Sequence, residues 1–94
     1  MEKEIVISED IKQLVEELAE HVHITWMEAR IKEGWKYGPK RDDIKKETPC
    51  IVPYKDLPEI EKEYDRITAL ETIKFLMKKG YSIKKWPFFF YLIN

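Results

Sequence analysis

Two segments of the chain carry apolar residues at the three- and four-residue spacing of a helix that packs on one side. The first segment follows Ser8, which suits a helix N-cap, and begins with Glu9 and Asp10, whose negative charges the helix dipole favours there. The pattern predicts a helix from about residue 9 to 32, with Gly34 at its C′ position. Its predicted buried stripe consists of Ile11, Leu14, Leu18, Val22 and Ala29.

The second helical segment follows Asp56, which can cap the helix while Glu59 reaches back as in a capping box. Pro58 fits the first turn because its missing N–H would have no intrahelical partner there. Two lysines precede Gly80, which is the predicted end of this helix. Its predicted buried stripe consists of Ile60, Tyr64, Ile67, Leu70, Ile73 and Leu76.

Residues 33–55, between the two helices, show neither a helical nor an alternating pattern. A loop of this length is uncommon in a small domain unless it is functional or is anchored by its own side chains. Apolar and β-branched residues predict short strands at 4–7 and at 50–52. Together these patterns predict one α+β domain over residues 1–94, with two main antiparallel-packed helices, short flanking β-strands and a long ordered loop. The candidate anchors of the loop are Trp35, Tyr37, Ile51, Val52 and Tyr54.

The charge of the chain is nearly balanced, since 17 basic and 18 acidic residues give a formal net charge of −1. A general nucleic-acid binder carries a basic excess, so we expect no nucleic acid as a partner. The single cysteine, Cys50, precludes an internal disulfide and fits a reducing compartment. The chain starts without the pattern of a signal peptide, and its longest apolar run is shorter than the roughly 20 residues that span a bilayer. We therefore expect a cytoplasmic protein that does not associate with membranes.

The aromatic tail, residues 84–94, ends in a run that is apolar on every side. Such a run would aggregate if it were left in solvent, so it must be covered by the fold or by a second copy of the chain. Because only two helices are available to build the core, we expect a homodimer.

A candidate ligand platform lies near the end of the first helix. At about 100° per residue, His23, Trp26 and Arg30 fall within a sector of about 60° at the border between the apolar stripe and solvent. An aromatic ring flanked by a cation and an imidazole is a reasonable platform for a flat, charged ligand. The alternative is that Trp26 seals the edge of the core while Arg30 pairs with a glutamate. On residue types alone this second arrangement is the commoner one.

The loop adds charges, because Arg41, Asp42 and Asp43 could bridge one another or hold the phosphate and hydroxyl groups of a ligand. No catalytic residues, metal ligands or cofactor sites are predicted. His21 and His23 are about 200° apart on a helix and cannot share a metal ion, and no spacing fixes Cys50 beside a histidine. The chain also lacks phosphate-binding glycine motifs. We therefore do not expect an enzyme.

From about residue 18 to 83 the chain resembles the ryanodine-receptor repeat domain (RyR domain). The order and spacing of the matching residues cover about two-thirds of the chain. The sequence departs from the family pattern at His21, where asparagine is usual, and at Thr48, where histidine is usual. The matching residues include His23, Trp26, Arg30, Gly34, Trp35, Tyr37, Gly38, Arg41, Asp42, Asp43, Pro49, Val52, Pro53, Tyr54, Leu57, Glu61, Asp65, Arg66, Ala69, Glu71 and Gly80.

This resemblance implies a RyR-type repeat fold. In the calcium-release channels the unit occurs in tandem pairs about a pseudo-two-fold axis, and single-copy versions occur in bacteria and phages, which implies that a lone copy forms a homodimer. In one channel pair the groove between the copies accepts an adenine nucleotide between tryptophans. The resemblance thus implies a non-enzymatic sensing module in which Trp26 stacks on the base and Arg30 contacts the phosphates or the ring. Further candidate ligand-binding residues are His23, Trp35, Tyr37, Arg41 and Asp42.

A second interpretation remains open at this point. The chain could be a protein-interaction or scaffold domain that uses the loop, residues 33–54, and the aromatic tail. The channel pore and calcium transport do not carry over, because this sequence has no spanning segment.

Overall fold

A computed structural model describes residues 8–85, so the predicted strand at 4–7 and the tail from residue 86 onward lie outside the described residues. The elements, in chain order, are helix α1, strand β1, strand β2, a 3₁₀ turn and helix α2. The predicted α+β class, with two packed helices and short strands, is confirmed. The bounds are Glu9–Lys32 for α1, Lys36–Tyr37 for β1, Glu47–Thr48 for β2, Tyr54–Asp56 for the 3₁₀ turn and Glu59–Lys78 for α2.

Both helices end where a glycine was expected, and for the same local reason. Gly34 and Gly80 each have a φ of 95°, in the left-handed region that favours glycine. After α1, the Trp35 N–H donates to the Arg30 carbonyl at 3.0 Å, which is the long bond of a Schellman motif. The equivalent bond after α2 joins the Tyr81 N–H to the Leu76 carbonyl at 3.1 Å. The helix ends are therefore set by the backbone at two glycines.

The two helix starts differ. The Ser8 hydroxyl accepts the Ile11 N–H at 3.3 Å and caps α1 as predicted. The capping box predicted for α2 is wrong, because Pro58 occupies the N-cap and no side chain caps the helix. Asp56 instead ends the 3₁₀ turn, and the Glu59 carboxylate accepts a hydrogen bond from Arg66 at 3.1 Å. The two residues expected to form the capping box, Asp56 and Glu59, are therefore both engaged in other ways.

The two helices pack together around a buried core cluster that contains one alanine from each. Ala19 of α1 is 0% exposed and Ala69 of α2 is 1% exposed, and such small side chains let the two backbones approach closely. In the first half of α1, Glu16 bonds to Arg66, which lies further along α2 than Glu61. In the second half of α1, Trp26 shares a cleft with Glu61, at the start of α2. The two helices therefore run antiparallel. The remaining core residues are Tyr54 and Leu57, with Val15, Leu18, Cys50 and Val52 packed against them.

The buried faces of the helices differ from the predicted apolar stripes. On α1 the buried residues are Ala19 and His23, centred about 110° around the helix from the centre of the predicted stripe. On α2 only Ile73 of the predicted stripe is fully buried, while Ile60 and Tyr64 are 63% and 59% exposed. The buried alanines mark the faces that pack together, and packing on these faces leaves an apolar outer face on α2. We define this outer face by Ile60, Tyr64, Ile67 and Phe75.

A charged and hydrogen-bonded network ties the 3₁₀ turn to both helices. The Tyr54 hydroxyl donates to Glu16 Oε1 at 2.9 Å, and Arg66 Nε donates to Glu16 Oε2 at 2.8 Å. The bond from Arg66 lowers the pKa of Glu16, although burial opposes this effect. Burial and the bond to Glu16 raise the pKa of Tyr54 to about 12. The network thus holds the beginning of α2 and the end of the loop against α1.

The two strands form a short parallel pair, in the register Lys36↔Glu47 and Tyr37↔Thr48. The strand predicted at residues 50–52 is wrong, because the Cys50 N–H turns back to the Thr48 hydroxyl at 3.3 Å. A Cβ added to Gly38 would come within 2.6 Å of Glu47 Cβ, so glycine permits the close approach of the strands. No helix within residues 8–85 is long and apolar enough to cross a membrane.

Candidate functional site

Two neighbouring depressions meet at Trp26, which is half-buried on α1. The smaller one, here called the small pocket, has a volume of about 70 Å³. The larger one, here called the large cleft, has a volume of about 410 Å³. The small pocket is lined by Trp26, Arg30, Trp35, Arg41 and Thr48. The large cleft is lined by Trp26, Arg41, Thr48, Pro49, Cys50, Leu57, Glu61 and Asp65.

Arginines and tryptophans alternate along the small pocket. The Arg30 guanidinium carbon lies 5.9 Å from the ring centre of Trp26 and 5.7 Å from that of Trp35. On the other side, the Arg41 guanidinium carbon lies 5.7 Å from the Trp35 ring centre. These distances are those of cation–π contacts. The Schellman motif creates the arrangement, because it brings Trp35 back over Arg30.

His23 supports Trp26 from the core. It is 3% exposed, and its Nε2 lies 2.6 Å from the Val52 carbonyl oxygen. Since a carbonyl only accepts, Nε2 carries the hydrogen and donates it. The imidazole stacks on Trp26, with ring centres 5.8 Å apart and planes 27° apart. His23 therefore positions the indole and joins α1 to the loop.

The loop supplies the basic side of both depressions through Arg41. Its Nε donates to Asp43 Oδ1 at 2.7 Å, and this bond lowers the pKa of the Asp43 carboxyl. Both side chains are more than two-thirds exposed, so solvent screens the pair and its net contribution to stability is small. Arg30 is similarly placed, with an exposed partner, Glu33, at 3.3 Å.

Helix α2 supplies an acidic side to the large cleft through Glu61 and Asp65. Within residues 8–85 neither carboxylate makes a hydrogen bond or an ion pair. Burial raises the pKa of Asp65, an effect that His23 opposes and Glu61 reinforces. Burial and the same two carboxylates raise the pKa of the Cys50 thiol, so it stays protonated at neutral pH.

The structure brings together four of the residues singled out in the sequence, Trp26, Arg30, Trp35 and Arg41. Tyr37 and Asp42 line neither depression. Tyr37 is 57% exposed on β1, and Asp42 Oδ1 accepts the N–H groups of the next turn, at Ile44 and Lys45, each at 3.0 Å.

Sequence reasoning missed Thr48, Glu61 and Asp65 as lining residues. A four-residue spacing along α2 places both carboxylates on the same helix face as two apolar residues, which could have indicated that they face the interior. The four residues are Glu61, Asp65, Ala69 and Ile73. Charges on a helix usually mark a solvated surface, which is why the signal is weak. Among residues 8–85, no group of three or more His, Cys, Asp and Glu side chains is placed to hold a metal ion.

The site as built can accept a flat ring against Trp26, anions at Arg30 and Arg41, and hydrogen-bond donors at the two carboxylates. The family model described as the RyR domain matches residues 2–85. The match starts nearer the N-terminus than the resemblance noted in the sequence, and it includes every residue that lines the two depressions. The chain therefore belongs to the RyR domain family.

Proposed function

We propose that this protein is a non-enzymatic ligand-binding module that takes an adenine nucleotide, or a signal derived from one, on the indole of Trp26. The observation that supports this most is the position of that indole, half-buried where a large cleft meets two arginines. The base stacks on Trp26 within the large cleft, and the phosphates lie toward Arg30 and Arg41. The resemblance to RyR repeats that hold adenine nucleotides between tryptophans supports the same ligand class.

The dimensions and charges of the site suit such a ligand. A volume of about 410 Å³ lies within the range of small-molecule sites, roughly 300–1,000 Å³. Stacking of a base on an aromatic side chain contributes about 1–3 kcal/mol. Guanidinium groups bind phosphate oxygens in a bidentate way, and within residues 8–85 the carboxylate partners of both arginines are exposed.

A second copy of the chain supplies the missing wall of the large cleft. The outer face of α2 supports a second copy at this position. Ile60 precedes Glu61 and Tyr64 precedes Asp65, so each apolar residue lies about 100° around the helix from a carboxylate of the cleft. A copy packed on that apolar face therefore borders the cleft at Glu61. We infer that the chain is of the single-copy type known from bacteria and phages, and the pairing of RyR repeats in the related channels supports a homodimer of it.

The ligand is tested by isothermal titration and thermal shift of the full chain with ATP, ADP, ADP-ribose and cyclic ADP-ribose. We expect saturable binding of at least one of them, and a loss of about ten-fold or more in Trp26→Ala or Arg41→Ala. Matched controls are Tyr81→Ala, an exposed aromatic outside the site, and Lys12→Ala, an exposed cation about 27 Å along α1 from Arg30. No binding at millimolar concentration, or equal losses in the controls, would contradict the proposal.

The dimer is tested by sedimentation velocity over a range of concentrations. We expect Tyr64→Lys, which places a charge in the outer face of α2, to shift the protein toward monomer and to weaken nucleotide binding. Glu63→Lys, at the neighbouring exposed position outside that face, is the control and leaves self-association unchanged. A monomer at all concentrations, with or without ligand, would contradict the shared cleft.

A protein-interaction role is the second candidate, and the outer face of α2 favours it too. An apolar stripe of this kind on a helix is a common contact surface between chains. In this case the occupant is again a second copy, but its association does not depend on the cleft. Self-association that Tyr64→Lys abolishes, in a protein that binds none of the four nucleotides, would favour this role over the first.

A further inference from the structure

The large cleft has two carboxylates that make no hydrogen bond or ion pair within residues 8–85. Glu61 and Asp65 are one helical turn apart on α2 and are both half-buried. Neither accepts a hydrogen bond from any residue in the described part of the chain. Arg41 is the one cation among the described residues that line the cleft, and Asp43 is its partner.

A half-buried carboxylate without a donor carries an uncompensated desolvation cost. For Asp65 this cost is visible as a pKa held above its ordinary value of 3.8. A ligand that donates hydrogen bonds to these oxygens removes the cost, whereas a ligand that brings acceptors or negative charge adds to it. The α2 side of the cleft is therefore selective for donors.

We propose that Glu61 and Asp65 recognise the edge of the ring stacked on Trp26, and that they select a base with an exocyclic amino group over the same ring without one. This inference rests on the proposed function, because it assumes a nucleotide in the large cleft. The amino N–H groups donate to the carboxylates. The phosphates are repelled by the same carboxylates and are directed toward Arg30 and Arg41, so the two charged sides of the site fix the orientation of the ligand.

The test compares AMP with purine riboside 5′-monophosphate, which differs from AMP only in lacking the 6-amino group. Isothermal titration of the full chain should show AMP binding about ten-fold tighter, the effect of one hydrogen bond to a charged acceptor. In Asp65→Asn and Glu61→Gln, which keep the side-chain size, the ratio of the two affinities should fall toward one. Glu71→Gln, an exposed carboxylate on the same helix, is the control and should leave the ratio unchanged.

The outcomes separate this inference from the function on which it rests. If both compounds bind the unaltered protein equally well, the selection is wrong and nucleotide binding stands. If the ratio is large but neither α2 variant changes it, the assignment to these two carboxylates is wrong. If neither compound binds and none of the four adenine nucleotides does either, the proposed function itself has failed. A ratio that falls in the two cleft variants alone supports the inference, and a merely structural role would change both affinities together.

Discussion

Arg30 and Trp35 are joined twice, once through the backbone and once through their side chains. The Trp35 N–H donates to the Arg30 carbonyl at 3.0 Å, and the Arg30 guanidinium carbon lies 5.7 Å from the Trp35 ring centre. In most Schellman motifs an apolar contact accompanies the long backbone bond. Here a cation–π contact replaces the apolar contact, so the Schellman motif that ends α1 also forms one wall of the small pocket.

The first prediction concerns the glycine that allows this turn. Gly34→Ala should cost about 1–2 kcal/mol of unfolding free energy, because its φ of 95° is strained for any residue with a Cβ. The nearest atom to an added Cβ is Lys46 Cδ at 3.8 Å, so a clash is not the cause. Urea denaturation followed by circular dichroism measures the cost.

Gly80 provides a matched control for this substitution. It has the same φ of 95°, and an added Cβ would meet nothing within 4 Å. Gly80→Ala should therefore cost a similar free energy and leave the tryptophan fluorescence spectrum unchanged, whereas Gly34→Ala should shift that spectrum as Trp35 moves. Equal spectra for the two variants would show that the turn does not position Trp35.

The second prediction concerns the support behind Trp26. His23→Ala should lower the unfolding free energy by about 1–3 kcal/mol, since it leaves the partly buried Val52 carbonyl without its donor at 2.6 Å. His21 is exposed two residues earlier, and His21→Ala should change stability by less than about 0.5 kcal/mol. A similar cost for both histidines would contradict the role assigned to the bond with Val52.

The features of the fold that could be predicted are those that local sequence determines. Gly34 and Gly80 end their helices because only the backbone at each glycine is involved. The buried faces could not be predicted in this way, because they depend on where Ala19 and Ala69 let the helices meet. The parallel pairing of residues 36–37 with 47–48 is also non-local, and the apolar run at 50–52 gave a more visible but incorrect signal.

The same distinction holds for the candidate site. The helix wheel brought Trp26 and Arg30 to one border of α1, and the structure places both in the small pocket. Asp65 could not be found by that reasoning, because a charged residue of α2 lines the cleft only if the packing of the two helices places it beside Trp26 of α1. That neighbour is set by the crossing of α1 and α2 and not by the residues beside Asp65.

The third prediction concerns the hydroxyl that ties the 3₁₀ turn to α1. Tyr54 is 7% exposed, and its hydroxyl donates to Glu16 at 2.9 Å. Tyr54→Phe should cost about 1–2 kcal/mol, because the ring packing remains and only a bond to a charged acceptor is lost. Tyr37→Phe, at a side chain 57% exposed, should have no measurable effect on the urea midpoint. A neutral Tyr54→Phe would mean that water replaces the hydroxyl without loss.

The last prediction uses the opposite pKa shifts of Glu16 and Asp65. The folded-state pKa of Glu16 is below its ordinary value of 4.5, so its ionisation stabilises the fold above that pH, and the contribution is lost as the pH falls through the folded-state pKa. The folded-state pKa of Asp65 is above 3.8, so the contribution of its protonated form is present below that pH and is lost as the pH rises through the folded-state pKa. Glu16→Gln should therefore be less stable than the unaltered protein at pH 7, and Asp65→Asn more stable.

Both differences should shrink as the pH is lowered past the two carboxyl pKa values, because each variant then resembles its protonated parent. Thermal unfolding of the three proteins from pH 7 down to about 3 measures them on one scale. The opposite signs make the comparison sharp, since a general effect of acid on the fold would move all three proteins in the same direction. Asp65→Asn that is less stable than the parent at pH 7 would mean that the Asp65 carboxylate has a donor in solution, and the acidic side of the large cleft would then be already satisfied.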